Sequence, residues 1–334
     1  MIAMAPGATA AGAAEAPEAD AAPHLDPAVL AALGAPGELV IREVTGGLFN
    51  RVLRIDAPGR AFYYKQFTER ARLAAFPPLP TSPWQRWLVA ARCQANAARC
   101  AAGGEVRVPA LVGTDEARCH VVMEASAGTL LFDAIVAGGA TPAVRRAVGR
   151  VLGWLARLHR DPPPELATLV AHSAAFKHYK VDLQYERLLP ELGGARAAGA
   201  RFIAQYLAAE HDLLHGDLNS RNILVGGDGA VTVIDFEQGQ VGDGVYDVAY
   251  LLSELVIACL RDGRDPAPVI AELGAAYAPD APPARERQLR THLAFQVLYR
   301  LVGPSRQIWT GHLTGDARAA VRAWSLGELA RWLT

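Results

Sequence analysis

Between Leu213 and Gly239 the sequence reads LLHGDLNSRNILVGGDGAVTVIDFEQG, and this stretch limits the architecture more than any other. NILVGG and AVTVID are apolar, β-branched-rich runs on either side of Asp228-Gly229, the signature of a hairpin. The hairpin interrupts a half otherwise patterned for helices, notably VRRAVGRVLGWLARLHR, ARFIAQYLAAEH and the stretch from Ala284 to Leu301. Upstream the pattern is reversed. From Glu38 to Phe67, ELVIREV, FNRVLRI and AFYYKQF are separated by turns at Gly46-Gly47 and Pro58-Gly59, which predicts an antiparallel meander. A Pro-rich segment, FPPLPTSP, precedes a helix predicted from about Trp84 to Ala102, and VRVPALVG and CHVVMEAS then read as two more strands. Sheet first and helices afterwards predict a bilobal α+β chain, with no alternating parallel sheet. The expected division is a disordered Ala/Pro-rich tail over 1–36, a sheet lobe over 37–125 and a mainly helical lobe over 126–334.

A length of 334 residues, 51% of them hydrophobic, suffices for a sizeable core. Lys and Arg number 33 against 34 Asp and Glu, so no overall field favours nucleic acid or an anionic membrane, and a small-molecule partner is expected. Cys93, Cys100, Cys119 and Cys259 show neither C-x-x-C spacing nor a dense pattern, which argues against a disulfide framework or a zinc site and for buried thiols in a cytoplasmic protein. The first residues lack a basic region followed by an unbroken apolar run and do not read as a secretory signal. VYDVAYLLSELVIACL, from Val245 to Leu260, is interrupted by Asp247 and Glu254 and is too short to span a bilayer; it reads as a buried helix.

The hairpin carries the chemistry. It would fold Asn222, at the head of its first strand, back beside Asp235, at the end of its second, with Asp217 on the loop leading in. A carboxylate and an amide oxygen are hard ligands suited to Mg²⁺, which keeps several waters and takes few protein groups. A separate carboxylate could accept a proton from an attacking hydroxyl. Together they predict a phosphoryl-transfer site.

HGDLNSRNILV, followed by VIDFEQGQVGDGVYDVAYLL, resembles the aminoglycoside phosphotransferase and choline kinase group, small-molecule kinases with the protein-kinase fold, and the resemblance runs from about residue 38 onward. It implies that Asp217 is the catalytic base or orients the hydroxyl, that Asn222 and Asp235 hold Mg²⁺, that Asp247 braces the catalytic loop from a buried position, and that His215 keeps the loop in shape. Glu237 is a weaker candidate for metal or substrate contact. TGGLFNRVLRI resembles the family's phosphate-covering turn, with Gly46, Gly47 and Asn50 in it. Lys65, the only lysine in the first 170 residues, sits mid-strand, where pairing with nucleotide phosphates would account for it. VVMEASAG resembles the segment linking the two lobes, so the backbone of Glu124 and Ser126 would meet the adenine edge. The function implied is ATP- and Mg²⁺-dependent transfer of the γ-phosphate to a hydroxyl of an amino alcohol, aminoglycoside or related metabolite. A lipopolysaccharide or sugar kinase and a catalytically silent nucleotide-binding pseudokinase are the alternatives.

The chain also departs from the family. Active members orient the lysine with a glutamate on the following helix, but Trp84 to Gly104 contains no acid, and Gln94 stands where that residue is expected. Either Gln94 bonds Lys65 as a neutral partner, or Glu69 just beyond the strand substitutes, or the inserted Pro-rich segment shifts the register. Substrate choice is expected to rest on the acids Glu237, Asp243 and Glu254 and on helices bearing His292, Tyr299, Arg300 and Trp309; acidic lining would favour cations. The Pro-rich insertion, with Trp84 and Trp87, reads as a docking surface or as core aromatics at helical spacing.

Overall fold

The computed structural model describes residues 33, 39–44, 49–69, 77–160, 162 and 166–333. The meander forms β1 (Val40–Glu43), β2 (Asn50–Ala57) and β3 (Arg60–Phe67), and the sheet continues through β6 (His120–Glu124) to β5 (Leu111–Asp115), antiparallel throughout. Alternation sets its faces: Leu53, Ile55, Phe62 and Tyr64 point into one core and Phe67 and Val121 into another, where Trp87 and Ala90 of helix α1 (Pro83–Ala101) pack against them. Helix α1 starts with a capping box between Ser82 and Gln85 and Pro83 in its first turn.

VRVPALVG, expected as one strand, divides in two. Val106–Arg107 forms β4, which pairs in parallel with the predicted hairpin, while β5 begins only at Leu111. Pro109 has no N–H to give a ladder, so the chain changes sheets there. The hairpin itself is β9 (Ile223–Val225) and β10 (Val231–Val233), joined through Gly229 at φ +78°, in a four-stranded sheet with β4 and β7 (Thr129–Leu130). A two-stranded ribbon, β8 (Asp212–Leu214) with β11 (Gln240–Gly242), flanks it.

The remainder is helical: α2 (Leu131–Gly138), α3 (Pro142–Arg160), α4 (Leu166–Gln184), α5 (Arg196–Ala208), α6 (Val245–Arg261), α7 (Ala267–Tyr277), α8 (Pro283–Val302), α9 (Arg306–Thr310) and α10 (Gly315–Trp332). The main core joins α3 and α6 to the hairpin through residues such as Leu152, Leu155, Val231, Val233, Leu251 and Leu255. The architecture is bilobal α+β, as the order of patterns predicts. α4 was not singled out by periodicity, because His172, Ser173, Lys177, Lys180 and Gln184 are all buried polar residues along it and blur any apolar stripe. No described helix is long and apolar enough to cross a membrane. All four cysteines are free thiols, two buried and two half-buried, and burial pushes Cys93 up to about 12.

Candidate active site

The loop from His215 to Asn222 joins β8 to β9. Gly216 sits at φ +79°, and a Cβ there would lie 1.9 Å from the Gln238 carbonyl oxygen, so the loop requires glycine. Asp247, in the first turn of α6, accepts the His215 N–H at 2.6 Å and the Gly216 N–H at 3.0 Å. Its Oδ2 also lies 3.3 Å from His159 Nε2, whose other nitrogen is 2.8 Å from the Tyr277 hydroxyl. Asp247 therefore occupies a buried bracing position. His215 accepts the Asp217 N–H on Nδ1 at 3.3 Å and has Nε2 3.0 Å from the Ile234 carbonyl, which assigns the proton to Nε2 and ties the loop to the strand end carrying Asp235.

Asp217, Asn222 and Asp235 converge on one cleft of about 240 Å³. Asn222 Nδ2 donates to the Asp217 carbonyl at 2.9 Å and to its Oδ2 at 3.2 Å, so the amide is oriented with its oxygen left over for a cation. Asp235 adopts φ +72°, a left-handed conformation uncommon outside glycine, and its side chain is one-third exposed, at 33%. Lys65 Nζ lies 2.5 Å from Asp235 Oδ1 and 3.6 Å from Glu237 Oε2. Burial opposes charge on both Lys65 and Asp235, but their attraction prevails: the lysine pKa is raised and the aspartate pKa lowered, so both are ionised. An anionic carboxylate and an amide oxygen, with no nitrogen or sulfur donor between them, fit a hard cation such as Mg²⁺.

The lysine's orienting partner is a correction to the sequence reading. Gln94 donates to the Pro109 carbonyl at 2.8 Å and lies 3.9 Å from Met123 Sδ; it supports the crossing between sheets and not Lys65. Glu69 is exposed. The acid that faces Lys65 besides Asp235 is Glu237, 3% exposed, which burial pushes up from its ordinary pKa. Glu237 accepts from Asn50 Nδ2 at 2.6 Å and lies 3.6 Å from Arg86 of α1, and Arg86 in turn donates to Asn50 Oδ1 at 2.9 Å and to the Thr68 carbonyl. The helix thus presents a cation to a carboxylate on the loop after β10, the reverse of the expected polarity. The Asn50 amide is held in this cluster at both ends, by Glu237 at Nδ2 and Arg86 at Oδ1, which leaves one Nδ2 hydrogen uncommitted. Gly46 and Gly47 lie outside the described residues. Glu124 and Ser126 lie where the chain leaves β6; the Glu124 N–H already donates to the Ala110 carbonyl at 3.0 Å, so its backbone has only its carbonyl to offer a base.

Two of the acids expected to line the acceptor side do not. Asp243 accepts the Val245 N–H at 3.0 Å and pairs with Arg285 at 2.6 Å, away from the cleft. Glu254 accepts the Ser220 N–H at 3.0 Å and the Ser220 hydroxyl and meets Arg300 Nη2 at 3.1 Å. Both are braces. His292 faces the Tyr185 hydroxyl at 2.7 Å in a separate core, whereas Tyr299 and Trp309 do line the cleft. The Pro-rich segment contributes Leu79 to the cleft wall, and Tyr179 donates to the Pro77 carbonyl at 3.1 Å; Trp87 is core, while Trp84 is exposed and donates to Glu116 at 2.9 Å.

Sequence reasoning missed Lys180. From α4 it reaches Asp217 Oδ1 at 2.9 Å while 6% exposed. The signal was present: the chain has only three lysines, Lys65, Lys177 and Lys180, and all are buried. Lys177 is structural, donating to the carbonyls of Leu207 and Ala209 at the end of α5. Arg86 carried no such signal, being one of many arginines.

A sequence model described as the phosphotransferase enzyme family matches residues 40–288. No curated protein matches the sequence. Among solved structures, aminoglycoside 2'-phosphotransferase-IIIa in its GDP complex superposes with a TM-score of 0.52 at 14% identity, over 91% of this chain and 97% of that one. A streptomycin–ATP ternary complex of an aminoglycoside phosphotransferase of type 2''-IIa gives 0.52 at 14% identity, over 92% and 96%. The Plasmodium vivax ethanolamine kinase gives 0.52 at 12% identity, over 87% and 82%. These likenesses establish the kinase-like fold.

Proposed function

The chain belongs to the phosphotransferase enzyme family and is a small-molecule kinase, and from that premise we propose that it transfers the γ-phosphate of ATP, with Mg²⁺, to an alcohol oxygen of a small acceptor in the cytoplasm. The convergence of Asp217, Asn222, Asp235 and Lys65 on one cleft, opposite an aromatic wall, carries this reading. In it the acceptor hydroxyl lies against Asp217, which takes its proton as the new P–O bond forms and the bond to the ADP oxygen breaks. Lys180 holds Asp217 Oδ1 while Asn219 and Asn222 hold Oδ2, so the carboxylate is fixed in orientation toward the acceptor. Lys65, released from Asp235, would pair with the nucleotide phosphates, with Glu237 keeping its ammonium in line. Mg²⁺, when held by Asn222 and Asp235, would neutralise charge on the phosphates. The nucleotide complexes of the structural neighbours support nucleotide use.

The pseudokinase alternative drew on the missing helix glutamate. Glu237 supplies an acid within 3.6 Å of Lys65, which removes its motive. The test is ADP release from ATP and Mg²⁺ across a panel of alcohols, with Asp217→Asn as control. Acceptor-dependent release that the variant loses is the expected result. Release that ignores the acceptor, or that survives Asp217→Asn, would overturn the reading.

A further inference from the structure

We infer that the acceptor end of the cleft is built for an uncharged hydroxyl compound with an apolar face, of the sugar or nucleoside kind, and not for a cationic amino alcohol or aminoglycoside. The inference rests on the small-molecule kinase reading above and concerns which alcohol the same site accepts.

Taking an ammonium group out of water is costly unless a carboxylate or an open aromatic face receives it. The carboxylates among the described lining residues are Asp217, Asp235 and Glu237, and each already faces a cation of the protein: Lys180 at 2.9 Å, Lys65 at 2.5 Å, and Lys65 and Arg86 both at 3.6 Å. ATP and Mg²⁺ would engage Lys65 and Asp235 and leave no spare negative charge for the acceptor. Asp243 and Glu254, the other acids expected here, are tied to Arg285 and Arg300 outside the cleft.

Two of the aromatic faces in the cleft, Tyr250 and Trp309, are taken by protein cations as well. The Arg300 guanidinium stands 4.4 Å over the Tyr250 ring and 4.1 Å over Trp309, and Lys180 Nζ lies 5.4 Å from the Tyr250 ring centre. A ligand cation set against either ring would meet like charge across or beside it. These rings therefore do not form a vacant cage for a quaternary or primary ammonium.

What the acceptor end does offer is neutral. Gln184 Oε1 already accepts from the Tyr246 hydroxyl at 2.9 Å and from Gln296 at 3.0 Å, and its amide nitrogen bonds the Tyr299 phenol, which leaves one amide hydrogen as a donor. Ser305 Oγ accepts from Trp309 Nε1 at 3.0 Å and its hydroxyl bonds the Tyr299 phenol, which fixes that phenol in the wall. Tyr299, whose phenol burial holds above its ordinary pKa, supplies an uncharged hydroxyl. Beside these stand Phe176, Leu183 and Ile308. Neutral hydrogen-bonding groups next to apolar and aromatic surface match a polyol that has one face of C–H groups and a rim of hydroxyls.

The experiment uses the full chain and matched acceptors: glucose against glucosamine, methyl glycosides and nucleosides against choline, ethanolamine and kanamycin. Acceptor-dependent ADP release is measured on the wild type, and acceptor binding by calorimetry on Asp217→Asn, which holds acceptors without turning them over. At least one neutral compound is expected to bind and react, with its cationic counterpart at least about tenfold weaker. Ile308→Asp, which adds an unpaired carboxylate to the cleft wall, is expected to narrow that gap. Preference for the cationic member of a pair, or absence of binding by every neutral compound while ATP still raises the melting temperature, would overturn the inference and leave the kinase reading standing. Failure of ATP itself to bind would overturn both.

Discussion

Around Lys65 and around Arg300 the chain builds two ion clusters of similar make-up, and only one of them faces the cleft. In the first, Lys65 and Arg86 share Glu237, and Lys65 meets an Asp235 that is one-third open to solvent. In the second, Arg300, 0% exposed, is locked by Glu254, the Ser253 hydroxyl and the Tyr250 carbonyl, and Glu254 grips both the N–H and the hydroxyl of Ser220. The open cluster can exchange a protein partner for a ligand. The closed one cannot, and it holds in place the turn Ser220–Asn222, through which Asn222 reaches Asp217. Both set basic side chains against carboxylates; access to the cleft divides ligand handling from support.

The sharpest way to break this division is to remove one charge from each side. Asp217→Asn should lower kcat by about 10²- to 10⁴-fold, the usual range for a positioned general base, while nucleotide still raises the melting temperature. Glu254→Gln should do the opposite. It leaves Arg300 without its carboxylate in a closed environment, at a cost of about 3–5 kcal/mol, so thermal unfolding should fall steeply while KM for ATP in the surviving folded protein stays near wild type. If Glu254→Gln instead raised KM for ATP without destabilising the fold, the second cluster would belong to the ligand site.

Acid should probe the closed side as well. His292, on the same helix as Arg300, is pushed down to about 4 by burial, with Asp243 opposing, against an ordinary value of 6.5. The unfolded chain therefore binds the extra proton between those two values. The stability contributed by the neutral imidazole is complete above about pH 6.5 and is lost as pH falls toward 4, by up to about 3 kcal/mol. Urea unfolding of the wild type and His292→Asn across that window checks it: the variant should lose this part of the acid slope.

The same division marks what could be read from the sequence. The hairpin, the meander and the triad of Asp217, Asn222 and Asp235 were legible because local rules govern them: turn residues between β-branched runs, and polar residues at strand ends. Asp247 was legible only through family resemblance, since its bonds to His215 and Gly216 span a large sequence separation. The acceptor wall was misjudged because sequence shows an acid but not its partner. Asp243 and Glu254 read as free charges until Arg285 and Arg300 are seen beside them. Lys180 was overlooked because its helix has no apolar stripe and was not sought as a carrier of function.

The smallest effect tests the polarity reversal at Lys65. If Glu237 orients the ammonium, Glu237→Gln should raise KM for ATP about tenfold, the loss of one charge-assisted bond, whereas Gln94→Leu should change it less than about twofold and cost about 1 kcal/mol of stability through the Pro109 carbonyl. The two variants also differ in their pH response. Burial raises the Glu237 pKa, so in the wild type ATP affinity should begin to fall on acidification sooner than an ordinary glutamate would impose. Glu237→Gln cannot titrate and should lose that limb, while Gln94→Leu keeps it. Equal KM effects from the two substitutions, or an acid limb that persists in Glu237→Gln, would return the orienting role to the helix and leave Glu237 as one more brace.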